Sequence, residues 1–368
     1  MSGNVYRFIF AAGGTGGHLY PAVAVAEKLK ELKPESKILF VGTKNKIESR
    51  VIPKLGYDFK SIWISGFSRK LTLANLLFPV KLLVSLLQSF LINLNFKPSV
   101  VIGAGAYVSG PIVWIGTKLG SKSVLLEQNS YPGVTNRMLE NKVNSIHISF
   151  EDSDKYFKQK SKLKLSGNPV RTTLKLIERN TAIENYGLDK DKKVLLVIGG
   201  SLGARTINNA IAKNLELFIN KNIQVIWQTG EIYYNEFRNY KNQNVIIMPF
   251  ISDMQKAYSA CDLMIARAGA TTIAEVSHLG LPAIFVPSVN VAANHQFKNA
   301  KSLVDQNAGL LIEDYELSDK ILETVLNTIY NNELLLTLKE NIKKLSKPNA
   351  AKVIAEDILQ LAENKNLN

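Results

Sequence analysis

The sequence predicts an α/β fold of two doubly wound domains, each with a parallel sheet covered by helices. Three observations support this prediction. Strand and helix patterns alternate through both halves of the chain. A glycine-rich turn joins the first strand of each half to its first helix, at "AAGGTGGHLYPAVAV" and "VIGGSLGARTINNAI". The chain has 368 residues, 46% of them hydrophobic, and single cores seldom grow beyond about 250–300 residues.

The first glycine turn follows a buried strand from Phe8 to Ala12 and precedes a helix whose apolar residues begin at Ala22. Backbone N–H groups and the positive end of the helix dipole point into such a turn, which favours a bound phosphate. The dinucleotide-binding fingerprint is absent, since Leu19 stands at its third glycine and Thr43 where an acidic residue should end the second strand. No G-K-[ST] follows, which excludes a Walker loop.

The second glycine turn repeats the first. Four positions correspond between the turns, and the pairs are Gly13 with Gly199, Gly14 with Gly200, Thr15 with Ser201 and Gly17 with Gly203. Further strands are predicted at "KILFVG", "VVIGAG", "SVLLEQ", "QVIWQTG", "NVIIMPF", "DLMIARAG" and "PAIFVPS". We expect domains at 1–165 and 166–345, and a helix at 346–368 that packs back on the N-terminal domain. The ligand crevice is expected between the facing domains, at the carboxyl ends of both sheets.

Composition narrows the possible partners. The chain has 45 Lys and Arg against 31 Asp and Glu, a net charge of +14, which favours anionic partners. The lysines are scattered and form no basic face with interleaved aromatics, so we expect no nucleic-acid partner. The single cysteine, Cys261, excludes an internal disulfide and suits a reducing compartment. The N-terminus runs directly into the first strand, so we expect no signal peptide and a cytoplasmic protein.

Seven segments together resemble the MurG family of GT-B glycosyltransferases, which have two facing Rossmann-like domains and an interdomain cleft. They cover nearly the whole chain in the family's order and are "GGTGGHLYPA", "GAGAYVSGP", "LEQNSYPGVTN", "SGNPVR", "GGSLGAR", "ARAGATTIAEVSHLGLPAIFVP" and "NHQFKNA". The resemblance implies an inverting, metal-independent transfer of N-acetylglucosamine, without a cofactor, in peptidoglycan synthesis. The implied donor is UDP-N-acetylglucosamine. The implied acceptor is the 4-hydroxyl of the muramyl sugar of lipid I, undecaprenyl-pyrophosphoryl-muramyl pentapeptide, which becomes lipid II.

The resemblance also implies site residues. Ser201 would bind the donor diphosphate and Glu275 the ribose hydroxyls, although a glutamate on a helix is also commonly just solvated. The other implied donor residues are Thr15, Gly16, Gly17, Asn129, Arg171, Ile251, Ala270 and Gln296. The implied acceptor residues are Gly13, Gly14, Thr15, His18, Gly103, Gly105 and Tyr107. His18 is our candidate general base, because imidazole can be neutral near pH 7. The alternative, that His18 only binds the turn or the acceptor diphosphate, stays open.

The motif "FEDSDKYF" places Asp152 and Asp154 after a predicted strand, as in the D-x-D of metal-dependent GT-A transferases. Aspartate beside a short helix is also an ordinary N-cap. GT-A enzymes lack a second glycine-turn domain, and the four histidines show no zinc spacing. We therefore expect no metal.

Segment 71–96 is part of the most hydrophobic stretch of the chain, and two interpretations of it stay open. Four residues form a polar stripe, Lys81, Ser85, Gln88 and Ser89, and Arg69, Lys70 and Lys97 flank the segment. An amphipathic helix on the anionic cytoplasmic face of the plasma membrane would show this pattern. Packing inside the first domain is the other interpretation. Replacing Leu82 and Leu86 by Gln should distinguish the two.

Two other classes of function share some of these features. A non-hydrolysing UDP-N-acetylglucosamine 2-epimerase has the same two-domain fold, so the fold alone does not exclude it. A non-catalytic membrane-surface binding protein would explain the basic charge, but not two phosphate-type turns together with Glu275.

Overall fold

The structure is a computed structural model that describes residues 5–66, 77–171, 174–200, 202–289, 291 and 294–366. The chain divides into two compact units. The first consists of Met1–Arg171 and Lys347–Asn368, and the second of Thr172–Ser346. Three residues named above, Arg69, Lys70 and Ser201, lie outside the described part of the chain.

The first unit contains a parallel sheet of seven strands. The strands are β1 (Arg7–Ala11), β2 (Lys37–Gly42), β3 (Asp58–Ser61), β4 (Val100–Gly103), β5 (Lys122–Glu127), β6 (Ser145–Ile148) and β7 (Leu163–Leu165). They are ordered β3-β2-β1-β4-β5-β6-β7. The connecting helices are α1 (Gly16–Leu32), α2 (Ile47–Lys54), α3 (Phe78–Phe96), α4 (Ser109–Lys118) and α5 (Val134–Leu139). Short 3-10 helices occupy Glu151–Tyr156 and Lys160–Lys162.

The second unit contains a parallel sheet of six strands. They are β8 (Lys193–Ile198), β9 (Ile223–Gln228), β10 (Val245–Met248), β11 (Leu263–Ala266), β12 (Ala283–Phe285) and β13 (Leu310–Leu311), ordered β10-β9-β8-β11-β12-β13. Its helices are α6 (Arg179–Glu184), α7 (Arg205–Asn220), α8 (Tyr234–Phe237), α9 (Met254–Ala260), α10 (Ala270–Leu279), α11 (His295–Val304), α12 (Leu317–Ile329) and α13 (Asn332–Lys344). A 3-10 turn occupies Arg238–Tyr240.

Both sheets are built from nearly continuous apolar runs because helices cover both of their faces. Phe8, Ile9 and Phe10 of β1 are fully buried, as are Leu195 and Leu196 of β8. Two doubly wound units with parallel sheets are therefore present, and the predicted fold class is confirmed.

The last helix, α14 (Ala350–Asn366), belongs to the first unit, where Ile358 joins the same core as Phe8. A buried polar cluster also connects α14 to β6. The carboxylate of Asp357 accepts a hydrogen bond from Ser145 Oγ at 2.6 Å and lies 2.9 Å from His147 Nε2. Burial alone would raise the pKa of Asp357, but hydrogen bonds from these side chains and Lys164 lower it below its usual value. Asp357 is therefore a charged anchor for the C-terminal helix.

The order of strands creates one switch point in each sheet. β1 lies between β2 and β4, and β8 lies between β9 and β11. The chain crosses to opposite faces on the two sides of such a strand, which leaves a crevice at the carboxyl ends where ligands bind in open α/β sheets. Each glycine turn identified in the sequence lies at one of these two positions.

Candidate functional site

Two glycine turns of the first unit lie at neighbouring strand ends. Because β1 and β4 are parallel, hydrogen-bonded neighbours, residues 12–15 and 104–108 meet at the same edge of the sheet. Gly14 has φ +84° and Gly105 has φ +88°, which glycine adopts at little steric cost. The structure thus brings the two predicted acceptor turns together.

A carboxylate of the chain itself occupies the first turn. Glu48, in the first turn of α2, is fully buried and accepts hydrogen bonds from the N–H groups of Gly14 at 3.0 Å and Thr43 at 2.8 Å. A Cβ on Gly13 would overlap this carboxylate, so that position requires glycine. The Gly14 N–H is therefore committed within the protein, and a bound phosphate would use groups further along, from Thr15 into α1.

His18 lies against both turns of the first unit. Its Nδ1 is 3.3 Å from Thr15 Oγ1. A Cβ added to Gly105 would lie 2.5 Å from His18 Cδ2 and 3.0 Å from Nε2.

Gly103 is required to be glycine for a different reason. It is buried in β4, where a Cβ would lie 2.9 Å from the Leu125 side chain, so its requirement comes from packing within the sheet.

Tyr107, in the turn after β4, lies close to the end of β2. Burial and the Glu48 carboxylate raise its pKa, while a side-chain hydrogen bond with Thr43 acts in the opposite direction. The preceding residue, Ala106, has φ +59°, which is uncommon for a residue with a side chain. Tyr107 is therefore a protonated phenol at neutral pH, held in the same polar network as the first turn.

A second buried carboxylate, Glu127 at the end of β5, organises the loop that carries Asn129. It accepts hydrogen bonds from the N–H groups of Asn129 at 3.0 Å and Gly133 at 2.8 Å, and from Asn136 Nδ2 at 2.8 Å. Burial raises the pKa of Glu127, although these hydrogen bonds partly offset the effect. The backbone of Asn129 is thus fixed at the same edge of the sheet as the glycine turns.

In the second unit, the glycine turn is held by close backbone packing. Gly200 and Gly203 have φ +90° and +76°, and a Cβ on Gly203 would overlap the Thr229 carbonyl. Gln228 connects this turn to the next strand end. Its Nε2 donates to the Gly200 carbonyl at 3.0 Å and its Oε1 accepts from Ile251 N–H at 2.8 Å. Because the Ile251 N–H is already bonded to Gln228, a ligand that contacts the Ile251 backbone would bond to the Ile251 carbonyl oxygen.

The other predicted donor residues of this unit surround α10 and the loop after β12. Ala270 is the first residue of α10. Glu275 is half-buried and accepts a hydrogen bond from the hydroxyl of the buried Tyr258 at 2.7 Å. Gln296 Oε1 accepts from Ser288 N–H at 2.9 Å. These bonds restrict the Glu275 carboxylate and the Gln296 amide to defined orientations.

Arg267, after β11, ties the base of α7 to neighbouring strand ends. Its guanidinium donates to Asp314 Oδ1 at 2.5 Å, to the Val286 carbonyl at 3.1 Å and to Thr206 Oγ1 at 2.8 Å. Thr206 lies in the first turn of α7, so Arg267 fixes the helix start at which the second glycine turn ends.

Arg171 lies in the first unit, at its boundary with the second. Its exposed guanidinium lies over the ring of Tyr20 in α1, 5.0 Å from the centroid. Burial raises the pKa of Glu27, and the positive charge of Arg171 offsets part of this rise. Cation–π stacking therefore holds Arg171 against α1 in the structure.

The D-x-D pair lies in the 3-10 helix Glu151–Tyr156. Asp152 pairs with Lys155 at 3.1 Å, and Asp154 pairs with Lys160. Across the described ranges, no three His, Cys, Asp or Glu side chains gather in a group that could hold a metal ion.

Sequence reasoning missed the residues that organise both sites, namely Glu48, Glu127, Gln228, Tyr258 and Arg267. Glu127 and Gln228 end strands β5 and β9, and Arg267 directly follows β11. Glu48 lies in the first turn of α2, and Tyr258 lies within α9. For Glu48 and Glu127, the sequence contains one signal of a role at the sheet edge. Each is a glutamate close to the end of a hydrophobic strand that is otherwise followed by polar or small residues. That signal indicates position at the sheet edge but not burial.

We predict that Gly105→Ala displaces His18, and Gly120→Ala is the matched control. Both glycines have φ above +80°, but a Cβ at Gly120 would meet nothing within 4 Å. Gly105→Ala should lower the unfolding free energy of the first unit by about 1–3 kcal/mol more than Gly120→Ala, the usual range for overpacking. It should also shift the His18 imidazole resonances. Equal destabilisation with an unchanged His18 spectrum would contradict the packing described here.

Comparison with known proteins gives the family. The chain matches the Glycosyltransferase family 28 N-terminal domain over residues 8–148 and the family's C-terminal domain over residues 194–358. A Flavobacterium psychrophilum protein named "UDP-N-acetylglucosamine--N-acetylmuramyl-(pentapeptide) pyrophosphoryl-undecaprenol N-acetylglucosamine transferase" is 44% identical over 366 residues, 98% of this chain and 99% of the relative.

Solved structures give the same fold. The crystal structure of Acinetobacter baumannii MurG is 27% identical, with a TM-score of 0.75, and the match covers 97% of this chain and 100% of that one. A UDP-N-acetylglucosamine 2-epimerase is 12% identical, with a TM-score of 0.66 over 97% and 96% of the two chains, and therefore shares the fold alone. The resemblance predicted from the motifs is confirmed: the chain belongs to glycosyltransferase family 28 and is a GT-B glycosyltransferase.

Proposed function

We propose that this chain transfers N-acetylglucosamine from UDP-N-acetylglucosamine to the 4-hydroxyl of the muramyl sugar of lipid I, giving lipid II and UDP in peptidoglycan synthesis. The observation that carries the proposal is the full-length match, across both units, to a relative named for this transfer. The reaction is inverting and needs no metal ion. The proposal also assigns donor binding mainly to the second unit and acceptor binding to the first.

A transfer assay tests the proposal. The protein is incubated with UDP-N-acetylglucosamine and a short-chain lipid I analogue, with and without EDTA. UDP should appear only when both substrates are present, EDTA should have no effect, and the α-linked donor should give a β-linked product. UDP-sugar epimerisation without acceptor would support an epimerase instead, and no turnover would support a non-catalytic binding protein.

For the donor, we assign Glu275 to the ribose hydroxyls, since an ionised carboxylate can accept from two hydroxyls at once. Tyr258 orients it by the bond at 2.7 Å. The α7 N-terminus and Ser201 bind the diphosphate, and they stabilise the charge that develops on UDP as it leaves. Gln296 and Asn129 contact the sugar, and Arg171 and the Ile251 backbone the uracil. Ala270 and the Thr15–Gly17 segment complete the donor set.

We predict that Glu275→Ala weakens UDP binding by about 1.5–3 kcal/mol, the contribution of a hydrogen bond to a charged group. Glu216→Ala removes the same charge from an exposed position of α7 and should leave the affinity unchanged. Tyr258→Phe, which keeps the carboxylate but removes its orienting hydroxyl, should have an intermediate effect. Calorimetry that finds equal UDP affinity for Glu275→Ala and Glu216→Ala would remove Glu275 from the donor site.

For catalysis, we assign the general base to His18. A neutral imidazole that donates its Nδ1 proton to Thr15 Oγ1, 3.3 Å away, leaves Nε2 as the basic nitrogen. Nε2 lies near Gly105, in the turn after β4. It would take the proton from the acceptor 4-hydroxyl as that oxygen attacks C1 of the donor sugar and the bond to UDP breaks.

We predict that His18→Ala lowers kcat by about 10²- to 10⁴-fold, the usual contribution of a general base. His18→Gln keeps a polar group beside Thr15 and should be equally slow, because an amide cannot accept the proton. UDP affinity should stay within about twofold in both variants. If either variant instead raises only the KM for the acceptor, His18 binds substrate and the base lies elsewhere.

For localisation, we propose that the chain binds the cytoplasmic face of the plasma membrane peripherally through α3. This helix has 19 residues and a mean hydropathy of 1.3, which meets the length and composition of a membrane span. The two serines of its polar stripe, Ser85 and Ser89, point inward together with Asn93, since all three are buried and hydrogen-bonded to backbone carbonyls. A helix packed in this way lies on a surface rather than spanning a bilayer.

The outward side of α3 is apolar. Its large side chains are 38–68% exposed, and we call this set the α3 apolar face: Val80, Leu83, Leu87, Phe90, Leu91 and Leu94. Trp63, 49% exposed, lies beside it under the Lys81 ammonium group. Exposed leucines with adjacent tryptophan and lysine are typical of interfacial helices.

We predict that replacing Leu83 and Leu87 by Gln releases the protein from anionic vesicles while leaving its melting temperature and its activity on a short-chain acceptor unchanged. Leu82 is unsuitable for this test because it packs against the first unit's core. The control replaces Leu217 and Leu336, exposed leucines of the second unit, and should stay bound in flotation assays. Retention of the Leu83 and Leu87 variant on vesicles would exclude α3 as the membrane contact.

A further inference from the structure

Two loops at the carboxyl edge of the first sheet meet at one carboxylate, Glu48, and a third lies close by. Its Oε2 accepts from the Gly14 N–H at 3.0 Å, in the turn after β1. Its Oε1 accepts from the Thr43 N–H at 2.8 Å and from Thr43 Oγ1 at 2.7 Å, at the end of β2. Tyr107, in the turn after β4, lies close enough for Glu48 and Thr43 both to act on the pKa of its phenol. Glu48 thus holds the turn after β1 and the end of β2, and the turn after β1 packs against the turn after β4, where a Cβ on Gly14 would lie 3.9 Å from Ala106 Cβ.

The site is built to hold this carboxylate. A Cβ on Gly13 or Gly42 would overlap the Glu48 side chain, so both glycines make room for it. Glu48 has no solvent-exposed surface, and its three hydrogen-bond donors are two backbone amides and one hydroxyl. It also lies in the first turn of α2, where the helix dipole stabilises a negative charge.

Burial of a carboxylate is costly unless hydrogen bonds satisfy it. A fully satisfied buried polar network makes the segments that it joins rigid. Here the segments are the turn that leads into Thr15 and His18 and the turn that carries Tyr107. Removing the carboxylate would leave the Gly14 and Thr43 N–H groups without their acceptor, so both turns should loosen together.

We propose that Glu48 is a positioning residue for acceptor binding: it fixes the first glycine turn directly and the Tyr107 turn through Thr43. This inference rests on the proposed function, in which the first unit binds lipid I. It also revises the use of the first turn. The Glu48 carboxylate takes the place of the anion expected at Gly14. The acceptor diphosphate then binds further along the chain, at the backbone N–H groups of the first residues of α1.

The first test is hydrogen exchange of the full-length protein, which needs no substrate. In Glu48→Gln, one acceptor oxygen is replaced by a donor amide, so peptides covering residues 11–17 and 103–109 should exchange at least about tenfold faster. Peptides covering β9, in the second unit, serve as an internal control and should not change. Thr43→Val removes only the hydroxyl link and should loosen 103–109 more than 11–17, and Thr43→Ser should restore wild-type exchange.

The second test is the kinetic consequence. Glu48→Gln should raise the KM for a short-chain lipid I analogue by about tenfold or more, the loss expected for a hydrogen bond to a charged group. The KM for UDP-N-acetylglucosamine should rise much less, because most of the assigned donor residues lie in the second unit. Thr43→Val should give a smaller rise in acceptor KM, and Thr43→Ser none.

Two results would overturn the inference. Unchanged exchange in both turns of Glu48→Gln would show that the carboxylate does not hold them. Equal increases in both KM values, with faster exchange throughout the first unit, would reduce Glu48 to a general structural role. If wild-type protein transfers no sugar at all, the proposed function fails, and the exchange experiment alone decides whether Glu48 positions the turns.

Discussion

The whole arrangement depends on one geometric constraint, that every strand within a sheet runs in the same direction. All carboxyl ends of a unit then lie at one edge, and the chain must turn into a helix there within a few residues. At the two switch points, β1 beside β4 and β8 beside β11, these turns are glycine-rich. Residues far apart in sequence, such as His18 and Gly105, become neighbours through this constraint.

The two units use the same turn differently. In the first, the buried Glu48 carboxylate satisfies the Gly14 N–H, so the turn is preorganised by an anion from its own chain. In the second, backbone packing of Gly203 against Thr229 and the Gln228 amide hold the turn. This difference agrees with the proposed assignment of substrates, in which the second unit binds a soluble nucleotide and the first unit binds a lipid head group.

Strand and helix periodicity predicted the long central elements and both glycine turns, because buried parallel strands are continuous apolar runs. The edge strands β3, β7 and β13 were not predicted, since they have two to four residues and are partly exposed. The candidate site residues came from family motifs, but the residues that orient them did not. Burial of Glu48 or pairing of Glu275 with Tyr258 depends on contacts between distant segments, which local patterns do not encode.

The polar stripe of α3 shows a related limit. Periodicity correctly placed Ser85 and Ser89 on one side of the helix, but it could not determine which side faces the core. The structure buries Ser85 and Ser89, whose hydroxyls bond to carbonyls of the same helix, and exposes Leu83 and Leu87. The side chains that were predicted to distinguish membrane from core were therefore partly the wrong ones, since Leu82 packs inward.

The central claim is that the second unit binds the donor nucleotide and the first binds the acceptor. Hydrogen exchange with UDP alone, and separately with a short-chain lipid I analogue alone, tests it most directly. We expect UDP to protect residues 249–254 and 267–276 most strongly, and the acceptor analogue to protect 14–19 and 104–109. Protection of 14–19 and 104–109 by UDP, with no change at 249–254 and 267–276, would contradict the account.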